Sequence, residues 1–210
     1  MTTTLARHPT PTARRGRQTT QRKLDHLLTS AAALIAAKGF EATAIRDVGR
    51  KIDASLAGMY YYFASKEDLL YQIQSGTFGA LVADQEAAAK LPGTPEERLR
   101  RLVAGHLTFF GKHPNEMKVC TFEMESLTGD PYRKVEAIRK RYFRLMAEVV
   151  GDLLGGPARK AREAQSRRIT LYLFGMLNWV FMWHDPNKDG PVASLGPEMC
   201  DLLLKGIDRR

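Results

Sequence analysis

GFEATAIRDVGRKIDASLAGMYYYFASKEDLL, residues 39–70, is the stretch whose punctuation decides the fold. Gly39 stops a helix that the apolar stripe Leu24, Leu27, Leu28, Ala31, Leu34 and Ile35 predicts from about Thr20 to Lys38. A second, short helix is predicted from about Ala44 to Ile52, with Thr43 as its cap and Ile45, Val48 and Ile52 on one face. Asp53-Ala54 makes a tight turn, and Ser55 caps a third helix that runs through Phe63. Ser65-Lys66-Glu67-Asp68 then opens a fourth helix with a serine cap and acids in its first turn. Three short helices, the last two separated by a tight turn, describe a helix-turn-helix.

Such a motif places its last helix in a DNA major groove roughly 12 Å wide, so the residues at that helix's N-terminus must be small. Ser55, Ala57 and Gly58 meet this requirement. Gly58 lowers helix stability by about 1 kcal/mol relative to alanine, and close approach to DNA is one compensation. Tyrosine hydroxyls can donate to phosphate oxygens, Lys66 offers a point charge, and Arg46 suits a guanine or a phosphate. At 100° per residue, Tyr60-Tyr61-Tyr62-Phe63 cannot all face one way, and Phe63 with Met59 is the expected buried pair.

The same stretch closely resembles the DNA-binding segment of the TetR/AcrR family of bacterial regulators. The resemblance lies in Gly39-Phe40, Thr43, Val48, Ser55, the run Tyr60-Tyr61-Tyr62-Phe63 and the Ser65-Lys66-Glu67 start, and it covers roughly residues 20–70. It implies that Tyr60 and Tyr61 contact DNA, with Tyr62 added. The expected DNA-facing set is Thr43, Arg46, Ser55, Leu56, Ala57, Gly58, Tyr60, Tyr61, Tyr62 and Lys66. Two positions depart from the family pattern: Leu56 stands where lysine is frequent and Gly58 where threonine is. Base readout then rests on fewer polar groups, with Leu56 available to a thymine methyl.

Working outward, charge is unevenly distributed. Residues 1–66 hold 11 Lys/Arg against 4 Asp/Glu, whereas residues 67–210 hold 21 against 19. The excess of the +9 chain therefore sits where a polyanion would dock. Residues 1–17, rich in Thr, Pro and Arg, are expected to form a flexible basic arm that reaches a minor groove, tracks phosphates or is simply solvated. The arm has no apolar stretch of the signal-peptide kind, and the first helix lacks the basic stripe of a membrane-surface helix. Cys120 and Cys200, without a CxxC or nearby histidines, argue against a zinc site and a disulfide framework and fit a reducing cytoplasm. The apolar run Ile169 to Trp183, 15 residues containing Thr170 and Asn178, falls short of the ~20 needed to span a bilayer.

Everything after residue 67 also reads helical, so the expected class is all-α: residues 18–66 as a DNA-binding domain and 67–210 as a larger helical domain for ligand binding and dimerisation. Thr94-Pro95-Glu96-Glu97 and Thr128-Gly129-Asp130-Pro131 are start signals, Gly155-Gly156-Pro157 is a break, and residues 185–191 are expected to form a loop. The helix from about Ala158 to Trp183 is apolar nearly all round in its second half, and the last, with Met199, Leu202, Leu203, Leu204 and Ile207, adds an apolar stripe. The resemblance implies that these two helices form a homodimer interface, and a two-fold dimer is what reads a palindrome. Phe110, Met117, Phe122, Arg139, Tyr142, Phe143, Met146, Phe174, Asn178 and Trp179 are candidate ligand contacts, each also compatible with plain core. The basic residues Arg133, Lys134, Arg139, Lys140, Arg141 and Arg144 form either a solvated face or the mouth of a pocket for an anionic ligand with an apolar tail, such as an acyl-CoA. Glu123 and Glu125 are expected to pair with these arginines or with a cationic ligand.

The expectation is a ligand-responsive transcriptional repressor without cofactor or metal, binding a double-stranded DNA operator as a homodimer and released by a small, largely apolar effector. Two rivals stand beside it. A helical enzyme would need a clustered catalytic set, yet the five histidines are scattered and no GxSxG, HExxH or glycine-rich phosphate loop occurs. A nucleoid-type protein would bind DNA without regard to sequence.

Overall fold

The structure is a computed structural model that describes residues 11–155 and 159–208, all of whose regular elements are helical. Helix α1 spans Pro11–Lys38, α2 Ile45–Lys51 and α3 Leu56–Tyr62. Helix α4 follows over Lys66–Ala89, α5 over Pro95–Lys112, α6 over Pro114–Phe122 and α7 over Gly129–Leu154. Helix α8 covers Arg159–Trp179, α9 Pro186–Asp189 and α10 Leu195–Asp208. No described helix is long and apolar enough to cross a membrane.

Two expectations are corrected here. The first helix begins at Pro11 rather than near Thr20, so residues 11–17 of the expected flexible arm are helical. Proline is tolerated in a first turn, where its missing N–H has no intrahelical partner, and Ala13, Arg14, Arg15 and Arg17 are good helix formers. Residues 1–10 of that arm lie outside the described residues. Within the expected loop 185–191, Pro186–Asp189 forms one helical turn, because the Asp185 carboxylate accepts from the Asn187 N–H at 3.0 Å and caps it.

The capping chemistry sets most other boundaries. Gly39 closes α1 at φ +85°, with its N–H donating to the Ile35 carbonyl at 2.8 Å. Ser55 caps α3 by accepting from Gly58 N–H at 3.0 Å, and Ser65 caps α4 by accepting from Asp68 N–H at 3.1 Å. At α5, Thr94 and Glu97 exchange side-chain-to-backbone hydrogen bonds in a reciprocal box.

Helices α1, α2 and α3 share a small core of Leu27, Ala31, Ile35, Phe40, Val48, Met59 and Phe63, all buried. Met59 and Phe63 are fully buried, as the helical geometry requires, and each contributes roughly 1.5–3 kcal/mol through burial. Helix α4 leaves this bundle and packs on α5, α6 and α7, while α5 also meets α7, α8 and α10. Leu81, Leu99, Leu102, Leu107, Met146, Leu173 and Leu177 fill the larger core between these helices. Helix α6 lies against α1, so the larger unit touches the smaller one directly.

Candidate functional site

The crossing of α2 and α3 depends on Gly49. A Cβ there would sit 2.8 Å from the Ala54 carbonyl oxygen and 3.2 Å from Met59 Cγ, so only hydrogen fits between the helices. Asp53 turns the chain at φ +55°, a left-handed conformation that aspartate tolerates better than most residues. These two residues aim α3 outward. Leu56, Tyr60 and Tyr61 are exposed on it, Tyr61 most of all at 78%, and Ser55 and Ala57 are exposed beside them. Gly58 and Tyr62 are half-buried, and the Tyr62 ring meets that of Tyr61 edge-on at 5.0 Å. Arg46 is exposed on α2, whereas its neighbour Arg50 is engaged by Asp47.

Two members of the expected DNA-facing set serve the fold instead. Thr43 is buried, and its hydroxyl donates to the Gly39 carbonyl at 2.8 Å, so its side chain faces the end of α1 rather than DNA. It does not cap α2 either: Ala44 holds that position, with its N–H donating to the Asp47 carboxylate at 3.4 Å. Lys66 donates from Nζ to the Phe40 carbonyl at 3.0 Å and the Glu41 carbonyl at 3.4 Å, above the Phe40 ring at 4.1 Å. Its ammonium clamps the α1–α2 turn. The signal for both was present in sequence, since a helix C-terminus leaves carbonyls that seek donors, but their destination depends on how α4 returns past α1.

Glu123 is a further surprise. Expected to pair with an arginine or a cationic ligand, it instead accepts at Oε1 from the Phe40 backbone N–H at 3.1 Å and at Oε2 from the Ser126 hydroxyl at 3.0 Å. Phe40 is therefore held at its N–H by the end of α6 and at its carbonyl by the start of α4.

In the larger unit, α4, α5, α6, α7 and α8 surround a cavity of about 370 Å³. Of the ten candidate ligand residues, Arg139, Tyr142, Phe143, Phe174 and Asn178 line it. The others are corrected. Met117 and Met146 are packed core, and Phe110 lines a different hollow near Val180 and Pro191. Phe122 is 45% exposed, and Trp179 faces a groove formed with Met199 and Leu202. Large apolar residues are interchangeable in sequence, and only helix packing separates core from cavity wall.

Sequence reasoning missed Phe78, His106, Thr121, Glu136 and Leu171 as lining residues, whereas Lys140, expected on a solvated face or at a pocket mouth, is among those that line the cavity. A signal did exist on α7, where Glu136, Arg139, Lys140 and Phe143 recur at i, i+3, i+4 and i+7 and so share a face. His106 had none. It is buried on α5, its Nδ1 is 3.0 Å from the Tyr142 hydroxyl, and its ring stacks on Tyr142 and meets Phe174 edge-on. Burial pushes its pKa down to about 4, so the imidazole is neutral near pH 7. Arg139 is the cavity's unusual cation: it is half-buried, lies over the Phe78 ring, and donates only to the Cys120 carbonyl at 3.5 Å among described residues. Lys140, by contrast, pairs with Glu136 at 2.8 Å, and Arg133 and Arg141 are engaged by Asp130 and Glu86.

Comparison with known proteins matches this organisation in two parts. Residues 27–73 match the bacterial regulatory proteins of the tetR family, and residues 92–207 match a tetracyclin repressor-like C-terminal domain. The fatty acid metabolism regulator protein of Bacillus subtilis is 20% identical over 190 residues, 90% of this chain and 97% of its own. The transcriptional repressor KstR2 of Mycobacterium tuberculosis is 26% identical over 185 residues, 87% of this chain and 92% of its own. Among solved structures, AibR in complex with isovaleryl coenzyme A and operator DNA superposes with a TM-score of 0.76 at 21% identity, covering 86% of this chain and 97% of that one.

Proposed function

The chain belongs to the TetR family of bacterial transcriptional regulators, and from that premise we propose that it is a repressor that binds a palindromic operator as a homodimer and leaves it when an acyl-CoA thioester enters the α5–α7–α8 cavity. Residues 18–66 act as the DNA-binding domain and 67–210 as the effector-binding and dimerisation domain, in the cytoplasm. The observation that carries the reading is α3: a capped helix with Leu56, Tyr60 and Tyr61 turned to solvent and Met59 and Phe63 anchoring its other face. Ser55, Ala57 and Gly58 permit close approach to base edges, and Tyr60, Tyr61, Tyr62 and Arg46 supply phosphate and base contacts.

Dimerisation is supported by the apolar surface that α8 and α10 leave uncovered. Trp179, Met182, Trp183 and Leu202 are all about half or more exposed along it, and a monomer rarely leaves such a cluster in water. The effector class is supported by Arg139, a half-buried guanidinium with no carboxylate partner among the described residues, in a cavity whose lining also includes the apolar Phe78, Phe143, Leu171 and Phe174. An apolar acyl chain with a phosphorylated carrier offers both chemistries at once, and the regulators of fatty acid metabolism and the isovaleryl coenzyme A complex among its relatives agree with that class.

Release then follows one contiguous route. An anion that draws Arg139 away from the Cys120 carbonyl disturbs the end of α6, and Glu123, just beyond it, holds Phe40 at the base of the helix-turn-helix. The effector favours a conformer in which the two copies of α3 are no longer about 34–36 Å apart, one turn of B-DNA. The shift cannot exceed the effector's differential affinity for the two states.

The deciding experiment is a footprint and fluorescence anisotropy titration on the DNA flanking the protein's own gene. Protection of a palindrome, with about 10³-fold or greater preference over unrelated DNA, is the expected result. Binding that ignores sequence and collapses with salt would make this a nucleoid-type protein, and tighter operator binding with effector would reverse the sign of regulation.

A further inference from the structure

His106, which lines the cavity, carries one polar atom that nothing among the described residues accounts for. His106 Nε2 is buried and has no hydrogen-bond partner among the described residues, although leaving such a group unpaired costs about 1–3 kcal/mol. Which role that atom plays follows from its neighbour. A neutral imidazole carries one proton, on Nδ1 or on Nε2. The Tyr142 hydroxyl is buried, and His106 Nδ1 is its hydrogen-bond partner at 3.0 Å. Were Nδ1 to carry the proton and donate to Tyr142, the phenol proton would have no acceptor and Nε2 would be a second unmet group. With the phenol donating to Nδ1, a single unmet group remains, an N–H on Nε2. The second arrangement leaves fewer buried polar groups unsatisfied, so it is the stable one.

His106, Tyr142 and Phe174 all line the cavity and touch one another, which fixes the imidazole plane by stacking and edge contacts. A fixed, neutral, donor-only group set against the Tyr142 and Phe174 rings is complementary to a neutral acceptor-only group. A carbonyl oxygen fits this description. A carboxylate would bury charge beside a neutral donor, and a hydroxyl would bring a proton needing its own acceptor.

We propose that His106 is a specificity-determining residue of the effector cavity, its Nε2–H donating to the acyl carbonyl oxygen of the bound thioester. Tyr142 is then a positioning residue, whose hydroxyl holds the proton on Nε2 by occupying Nδ1. The inference rests on the acyl-thioester reading of the same cavity and adds the atom that distinguishes a thioester from its non-carbonyl analogue.

Isothermal titration of the full chain tests it with a straight-chain series from butyryl-CoA to palmitoyl-CoA. The tightest binder is then compared with the matching S-alkyl-CoA thioether, which keeps the chain and the carrier and lacks only the carbonyl. The expected result is a preference of about 10-fold or more for the thioester, the size of one buried hydrogen bond. In His106→Phe the two ligands should bind with equal affinity, and His106→Gln, whose amide restores an N–H, should recover part of the preference. Equal affinity of the unaltered protein for thioester and thioether overturns the role of His106 while leaving the effector class intact. So does a preference that survives in both His106 variants. Failure of thioester and thioether alike to bind overturns the effector class, and this inference with it. Should one variant fail to fold by circular dichroism, the other decides: a thioester preference as large in it as in the unaltered chain overturns the role of His106.

Discussion

Ser55, Gly58 and Tyr61 are neighbours both in the chain and in space, whereas His106, Tyr142 and Phe174, which touch in the cavity wall, come from three different helices. The DNA-facing end is organised by contacts within a few residues: caps, one left-handed turn and one glycine crossing. The cavity depends instead on contacts far apart in the chain, separated by 36 residues in the case of His106 and Tyr142. The difference teaches where each region is vulnerable. Local geometry fails at one residue, while a tertiary cavity fails when its packing or its protonation changes.

The largest effect should come from separating anchor from display on α3. Phe63→Ala removes a fully buried ring and is expected to lower stability by about 3–5 kcal/mol in urea unfolding, abolishing operator binding with it. Tyr61→Ala, two positions earlier, should change stability by less than about 0.5 kcal/mol and instead weaken operator affinity roughly tenfold by anisotropy. Equal stability losses at both positions would erase the distinction between the two faces.

Acidification should strike the cavity next. His106 has its pKa lowered from 6.5 to about 4 by burial, so the unfolded chain binds the extra proton first as pH falls. The stability that this neutral histidine contributes is fully present above pH 6.5 and is lost progressively toward pH 4, by at most about 3 kcal/mol. Across that window the unaltered protein should lose up to about 3 kcal/mol relative to His106→Phe, so the two plots of urea-unfolding stability against pH should not run parallel. Parallel curves would place the acid sensitivity elsewhere.

Gly49→Ala tests the local side at the turn itself. The added methyl meets a backbone carbonyl at 2.8 Å, which cannot move without tilting α3, so a loss of about 1–3 kcal/mol and weakened operator binding are expected. Operator affinity unchanged in Gly49→Ala would show that the α2–α3 angle is not critical. Smallest of all should be Glu123→Ala, which leaves the Phe40 N–H without its acceptor and costs about 1–2 kcal/mol. Its informative readout is coupling: the fold-change in operator affinity caused by effector should shrink toward one. A full response in this variant would move the link between the two regions away from Phe40.

The legibility of the molecule follows the same division. The all-helical class, the helix-turn-helix, the buried pair Met59 and Phe63, and the Thr94–Glu97 box were readable because each depends on residues within about one or two turns of one another. The register of aromatic residues on α3 was readable for the same reason, as a helix fixes the angle between neighbours. Thr43 and Lys66 misled because a donor near a helix end has several carbonyls and phosphates to choose among, and the return of α4 past Phe40 made the choice.

What the amino-acid order alone determined is where most of the helices stop or are capped, though not the start of α1 or the turn of α9, and which faces are apolar, since caps, glycines and periodicity act over short range. Tertiary structure decided which apolar faces became solid core and which became cavity wall, and it alone brought together on one cavity an imidazole whose Nε2 has no partner and a guanidinium without a carboxylate partner among the described residues. The physical reason is range: hydrogen-bond caps report on residues a turn away, whereas burial depends on every helix that packs across a side chain at once.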